Sequence, residues 1–139
     1  MNMKSVSLLA LRFTTGIYIA FWGMNKIINT AGAMRHSETY YGSLTANDTL
    51  LMAIGVLQII VGIAVIIGFL RKYSYLAQVG LYLFGLLGII QYILDPFGLY
   101  LVDQARLTWF PSATLLAAAW VTFLFREEDT LTLDAKLGK

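Results

Sequence analysis

The chain has 139 residues, of which 58% are apolar and 13% are charged, against roughly 45–50% and about 25% in soluble domains. The net charge of +2 is too small to indicate nucleic-acid binding, and the absence of cysteine excludes disulfides, thiolate metal sites, iron–sulfur clusters and thiol redox chemistry. The mean hydropathy of +0.70 indicates a membrane protein. Because no long polar stretch remains for a soluble domain, residues 1–139 are predicted to form a single membrane domain.

The first predicted helix covers residues 5–28 and is apolar apart from Arg12 and Lys26. A secretory signal is a poor alternative, because the run is long, contains an arginine and ends without a small-x-small cleavage site. We therefore expect a retained membrane span. The polar residues 29–49 that follow are predicted to form a loop.

Three later stretches contain no charged residue and are predicted to span the membrane: 50–70, 73–94 and 107–125. Each has about 20 residues, which as a helix covers the ~30 Å of the hydrocarbon core. The fold is therefore predicted to be all-α, a four-transmembrane-helix bundle.

Short polar segments delimit these helices. Asn47 or Thr49 is expected to cap the second helix, and Arg71-Lys72 is a turn short enough to make the second and third helices antiparallel. Pro96 ends the third helix. Residues 126–139 form a charged tail.

The basic residues predict the orientation, since cytoplasmic loops carry an excess of lysine and arginine. With both termini on one side, that side holds six basic residues: Lys4, Arg71, Lys72, Arg126, Lys136 and Lys139. The other side holds three: Lys26, Arg35 and Arg106. We expect both termini to be cytoplasmic, with the 29–49 and 95–106 loops outside.

One face of the first helix combines two cations with glycines. At about 100° per residue, Gly16, Gly23 and Lys26 lie within about 40° of Arg12. In one interpretation both cations reach the headgroups and the glycines only pack. In the other, the stripe binds an anionic or carbonyl-bearing ligand, or a partner helix that approaches the glycines closely.

The second helix has a comparable stripe of Gly55, Gln58 and Gly62. The Gln58 amide needs partners in the absence of water, and it is expected either to bond a neighbouring helix or to contact a ligand. The ligand- or partner-binding candidates are thus Arg12, Gly16, Gly23, Lys26, Gly55, Gln58 and Gly62.

The remaining candidates predict little chemistry. Asp95 is expected to be a helix-end residue or to pair with a nearby cation, and His36 is the single histidine, so no metal site is predicted. The sequence has no P-loop, GxSxG, paired-carboxylate or zincin motif, so no catalytic residue is assigned.

The first two helices carry a recognisable signature. Leu11-Arg12 followed by Gly16, Gly23 and Lys26, and then the run from Gly55 to Arg71, resembles the DoxX family of small four-helix membrane proteins. The segment from Leu131 to Asp134 resembles the short ending common in that family. Two departures are Gln58, where family members often have glutamate, and Arg126-Glu127-Glu128-Asp129 in place of a glycine-proline-glycine turn.

The resemblance implies a four-helix protein of the bacterial cytoplasmic (inner) membrane that associates with redox proteins, since one branch is named for thiosulfate:quinone oxidoreductase subunits. It favours an accessory or anchoring subunit of a larger quinone-linked respiratory assembly, in contact with the lipid bilayer and other membrane subunits. A bound quinone or phospholipid is the ligand it suggests, and the sequence leaves a homo-oligomer open.

Two alternatives remain. One is a quinone-handling oxidoreductase component in which Arg12, Lys26 and Gln58 contact the head group. The other is a small transporter. Four short helices with one deep charge make a poor conduit unless the chain oligomerises, and the lack of paired intramembrane acids argues against proton coupling.

Overall fold

A computed structural model describes residues 2–42 and 47–138, and these residues contain helices and no strand. Met1, Lys139 and residues 43–46, which belong to the predicted 29–49 loop, lie outside the described residues. Seven α-helices occur in order: α1 (Met3–Ile28), α2 (Thr30–Tyr41), α3 (Asp48–Ile67), α4 (Arg71–Gly88), α5 (Ile90–Leu94), α6 (Pro111–Leu124) and α7 (Leu133–Lys136). Two 3-10 turns, Leu107–Trp109 and Arg126–Glu128, precede and follow α6.

The all-α prediction is confirmed. Within residues 2–42 and 47–138, three helical segments are long and apolar enough to cross a membrane: Met3–Ile28, Asp48–Ile67 and Leu107–Leu124. The α4 helix is not among them, because it begins with Arg71 and Lys72 and contains a buried glutamine, Gln78. The span predicted over 73–94 is also interrupted at Ile89, which separates α4 from α5.

Local residues fix the helix ends. Asn47 caps α3, as expected, by accepting the N–H of Leu50 at 3.1 Å. Gly68 ends α3 in the left-handed conformation (φ 67°), which glycine adopts without steric cost. Pro111 occupies the first turn of α6, where its missing N–H would have no helical partner.

The prediction of a loop over 29–49 is wrong for residues 30–41, which form α2. Asn29 starts this helix by accepting the N–H of Gly32 at 3.2 Å. Ala33 and Ser37 are buried one turn apart and face the bundle. The helix was missed because its inward face is built from small and polar residues instead of a continuous apolar run.

The bundle is organised around the antiparallel pair α1 and α3, and α4 packs mainly on α6. Ile19 of α1, Val79 and Tyr82 of α4 and Ala119 of α6 form one core cluster. On the outer face of α3, large apolar side chains remain exposed, as expected of a helix that faces lipid: Met52, Val56, Leu57, Ile60, Ile63 and Ile67.

Candidate functional site

The four candidate glycines form the contact between α1 and α3. A Cβ atom built on Gly16 would lie 2.9 Å from the carbonyl oxygen of Gly62, and one on Gly23 would lie 2.4 Å from that of Gly55. On α3, a Cβ atom built on Gly62 would lie 2.6 Å from the carbonyl oxygen of Gly16, and one on Gly55 would lie 2.8 Å from that of Gly23. The stripe therefore admits a partner helix, and that helix is α3 of the same chain.

Arg12 lies at one end of this helix pair and is 2% exposed. Its Nη1 donates to the carbonyl oxygen of Ile66 at 2.8 Å, and its Nη2 donates to the carbonyl oxygen of Leu131. Its Nε lies 3.3 Å from the Oδ2 of Asp129, which is fully buried. Two nitrogens thus donate hydrogen bonds to carbonyl oxygens and Nε forms an ion pair without a hydrogen bond, and the buried guanidinium is not open to a ligand.

Asp129 belongs to the C-terminal segment, residues 126–138, which folds back across this end of the bundle. The Oδ2 of Asp129 also accepts the hydroxyl of Tyr75 at 2.8 Å, so one carboxylate oxygen serves both α1 and α4. Ser5 near the start of α1 bonds the hydroxyl of Thr130 at 2.8 Å. The predicted charged tail is therefore packed into the fold.

Asp134 in the same segment supplies a cap for α4. Its two carboxylate oxygens accept the N–H groups of Leu70 and Arg71 at 3.0 and 2.8 Å. Leu70 has φ 49°, the one positive φ among described residues other than glycine, and it provides no side-chain cap of its own. The motif Leu131–Asp134 thus holds the α3–α4 turn in its unusual conformation.

Lys26 lies far from Arg12 on the same helix. Fourteen residues at about 1.5 Å each separate the two by about 21 Å. A single head group cannot touch both, so the predicted set of Arg12, Lys26 and Gln58 around one ligand is wrong. The structure instead brings Lys26 and Gln58 together at the end of the bundle that α2 covers.

A cavity of about 110 Å³ opens beside Lys26 and is called the Lys26 pocket below. It lies between α1, α2, α4 and the start of α6, with Gln58 of α3 on one wall. Its aromatic and polar lining residues are Tyr18, Trp22, Lys26, His36, Tyr41, Gln58, Tyr82, Trp109 and Ser112.

Three polar atoms at this pocket have no strong partner. No carboxylate in the described ranges forms an ion pair with Lys26, whose ammonium is 3.5 Å from the carbonyl oxygen of Trp22 and 5.4 Å from that residue's ring centroid. The Oε1 of Gln58 and the Nε1 of Trp109 are buried without a hydrogen-bond partner in the described part of the chain. Among the described residues, unpartnered buried atoms also occur away from this pocket, at Gln78 and Arg126, so it is their combination with the cavity and the Lys26 ammonium that makes this a candidate ligand site.

Aromatic rings form flat walls around these atoms. The ring of His36 lies 5.4 Å from that of Trp22 and 5.6 Å from that of Trp109, centroid to centroid. Burial, and then the nearby charge of Lys26, lower the pKa of His36, which keeps its imidazole neutral near pH 7. The pocket therefore presents one cation, neutral donors and ring surfaces.

Sequence reasoning did not assign His36 and Trp109 to a site. Their signal was the spacing of Ala33, His36, Ser37 and Tyr40, which recurs every three to four residues and predicts a helix face. His36 lies on α2 and its ring contacts that of Trp109, so a prediction that omits α2 places neither side chain near Lys26.

Asp95 does not neutralise the pocket. Its carboxylate accepts the N–H groups of Leu99, Tyr100 and Leu101 at 2.7–2.8 Å. These bonds lower the pKa of Asp95 to about 2. The residue is thus a helix-end feature, one of the two roles expected for it, and Arg106 instead donates to the hydroxyl of Tyr40 at 2.9 Å.

No cluster of three or more histidine, aspartate or glutamate side chains suited to a metal occurs among residues 2–42 and 47–138. The chemistry of the Lys26 pocket is therefore that of hydrogen-bond donors, one amide acceptor and aromatic rings.

Comparison with known proteins gives one match. The family model described as DoxX matches residues 7–90, which include α1 from its fifth residue onward, α2, α3, α4 and all seven candidate residues. The C-terminal segment lies outside the matched region. No curated protein and no solved structure matches the chain.

Proposed function

The chain belongs to the DoxX family of membrane proteins, and from this we propose that it is an accessory subunit of a quinone-linked redox assembly in the bacterial cytoplasmic membrane. Its contribution is to anchor a partner and to hold a quinone head group in the Lys26 pocket. The observation that carries the proposal is the half-buried Lys26 ammonium without an acid partner, beside the unpaired Gln58 Oε1 and Trp109 Nε1.

The chemistry of the pocket fits a quinone ring. Its volume of about 110 Å³ is below that of a cavity that binds benzene, about 150 Å³, so the ring would lie partly in the open side of the pocket. Quinone carbonyl oxygens are acceptors, which match the Lys26 ammonium and the Trp109 N–H. The flat ring matches the indole and imidazole walls.

A quinone, when bound, carries electrons and protons between membrane enzymes. The residues of this chain would hold and orient it: Lys26 and Trp109 at its oxygens, Trp22 and His36 against its face. Gln58 supplies an acceptor that suits a hydroxyl, so both carbonyl and hydroxyl forms of the ring find a partner. Electron transfer is assigned to a partner protein.

We extend the proposal to the membrane topology. All four predicted spans cross, including α4 with α5, and both termini face the cytoplasm. In support, Lys4 and Ser5 contact residues of the C-terminal segment, so both ends of the chain lie at the end of the bundle that carries the excess of basic residues. The Lys26 pocket then lies near the outer surface.

Single cysteines in this cysteine-free chain test the topology. Lys72→Cys lies at the start of α4 and Gln104→Cys lies beyond α5. An impermeant maleimide should label Gln104→Cys in intact cells and Lys72→Cys only after the membrane is disrupted. Labelling of both positions from the same side would show that α4 does not cross.

Purification in mild detergent from the native source tests the role as a subunit. We expect a stoichiometric companion with the absorbance of a flavin, haem or iron–sulfur protein, identified by mass spectrometry. Lys26→Met should retain this companion, because the pocket is not the anchor. A chain that is always recovered alone would contradict the proposal.

Quinone binding is measured by quenching of tryptophan fluorescence in a Trp120→Phe background, which leaves Trp22 and Trp109 at the pocket. A methoxy-substituted benzoquinone should quench saturably, and Lys26→Met should weaken its affinity by about tenfold or more, as expected for loss of a charged hydrogen bond. Lys72→Met, at the opposite end, is the matched control and should bind normally. Absence of saturable quenching, or equal affinity in Lys26→Met, would refute the pocket assignment.

A further inference from the structure

A second cavity of about 80 Å³ adjoins the Lys26 pocket. We call it the chain chamber. It lies between α2, α3 and α4, and its apolar walls are Ala33, Leu51, Ile54, Leu81 and Phe84. Neither the family match nor the proposed function assigns it a role.

The two cavities meet at shared residues. Lys26, Tyr41 and Gln58 line both, as do Leu81 and Gly85. A ligand whose oxygens reach Lys26 and Gln58 is therefore already at the mouth of the chain chamber. Apart from the shared residues, the chain chamber is lined by Ala33, Ser37, Leu51, Ile54 and Phe84, so Ser37 is the one polar side chain that it adds.

Tyr41 is held firmly at this junction. Its hydroxyl donates to the carbonyl oxygen of Gly85 at 2.9 Å, and its ring stacks on Phe84 at 5.3 Å. A Cβ atom on Gly88 would lie 2.2 Å from the ring, so the ring can occupy this position only because residue 88 has no side chain. The ring thus sets the shape of the passage between the cavities.

The chain chamber reaches the outer surface of the helix bundle. Phe84 is 51% exposed on its rim, and Ile54 is partly exposed, although Ala33 and Leu51 at its base are buried. A group that enters from the lipid would meet the Phe84 ring and the side chain of Ile54 in the same cavity that Lys26 lines. The chamber is smaller than the Lys26 pocket and suits a slender chain better than a second ring.

From this arrangement, and resting on the proposed function, we infer that the ligand of the Lys26 pocket is an amphiphile. Its oxygen-bearing ring lies in the pocket, and an aliphatic chain attached to the ring passes Tyr41 into the chain chamber. The substrate class is a lipid-soluble, chain-bearing quinone, and a water-soluble ring without a chain would use only part of the site.

The test compares two probes with the same methoxy-substituted benzoquinone ring, one without a side chain and one with a decyl chain. Affinities are measured by tryptophan quenching in lipid nanodiscs of one composition, so that partition of each probe into lipid is the same for every variant. Ala33→Leu on α2 and Ile54→Phe on α3 fill the chain chamber from different walls. Ala31→Leu, the same change on the exposed face of α2, is the control.

Ala33→Leu and Ile54→Phe should each weaken the affinity for the decyl quinone by about tenfold or more, because the chain and the enlarged side chain compete for one space. Both variants should bind the chainless ring within about twofold of the unaltered protein. Ala31→Leu should bind both probes normally. Thermal unfolding of each variant establishes that it is folded.

Equal effects on both probes, or no effect on either, would overturn the chain chamber and leave the Lys26 pocket standing. Failure of the unaltered protein to bind either probe would overturn the proposed function and this inference together. The two failures are therefore distinguishable in one experiment.

Discussion

A buried arginine sets the main constraint on this bundle. A guanidinium in a membrane span is costly unless the protein supplies its partners. Arg12 receives them from three directions, the Ile66 carbonyl on α3, the Leu131 carbonyl and the Asp129 carboxylate in the C-terminal segment. Because Asp129 also binds the Tyr75 hydroxyl, the same ion pair joins α1, α3, α4 and the segment that closes this end.

The opposite end of α1 is built differently. The glycine contact between α1 and α3 continues to Gly23 and Gly55, so the helices stay close as far as Lys26. At the Lys26 end the bundle is covered by α2, with His36 and Tyr41, whereas at the Arg12 end it is covered by the C-terminal segment. No acid reaches Lys26 within the described residues, since Asp95 is occupied by loop amides. One cation is thus neutralised by the fold and the other has no acid partner among the described residues, and the proposed quinone site rests on that difference.

Much of the fold could be predicted from the sequence, because apolar runs and capping residues are local signals. The helices over residues 5–28 and 50–70, the Asn47 cap and the glycine stripe needed no tertiary information. Membership in the DoxX family could also be predicted, because its glycine and arginine signature lies within α1 and α3.

The site was predicted only in part. Lys26 and Gln58 line the same cavity, but grouping them with Arg12 ignored the length of helix between Arg12 and Lys26. The partner of Arg12 could not be predicted, because Asp129 lies far away in the sequence within a tail that reads as solvated. The seat of the Tyr41 ring against Gly88, beside the break at Ile89, is a tertiary contact between α2 and α4 that no local pattern reveals.

A double-mutant cycle on Arg12 and Asp129, followed by unfolding in detergent, tests the central claim most directly. Arg12→Met and Asp129→Leu should each cost about 3–5 kcal/mol, because each leaves a buried charge without its partner, and the double variant should recover much of that loss. Lys4→Met, which removes the exposed Lys4–Glu128 pair at the same end, should leave the stability almost unchanged, because exposed ion pairs contribute little. Losses that simply add, or an Arg12→Met variant as stable as Lys4→Met, would contradict the account.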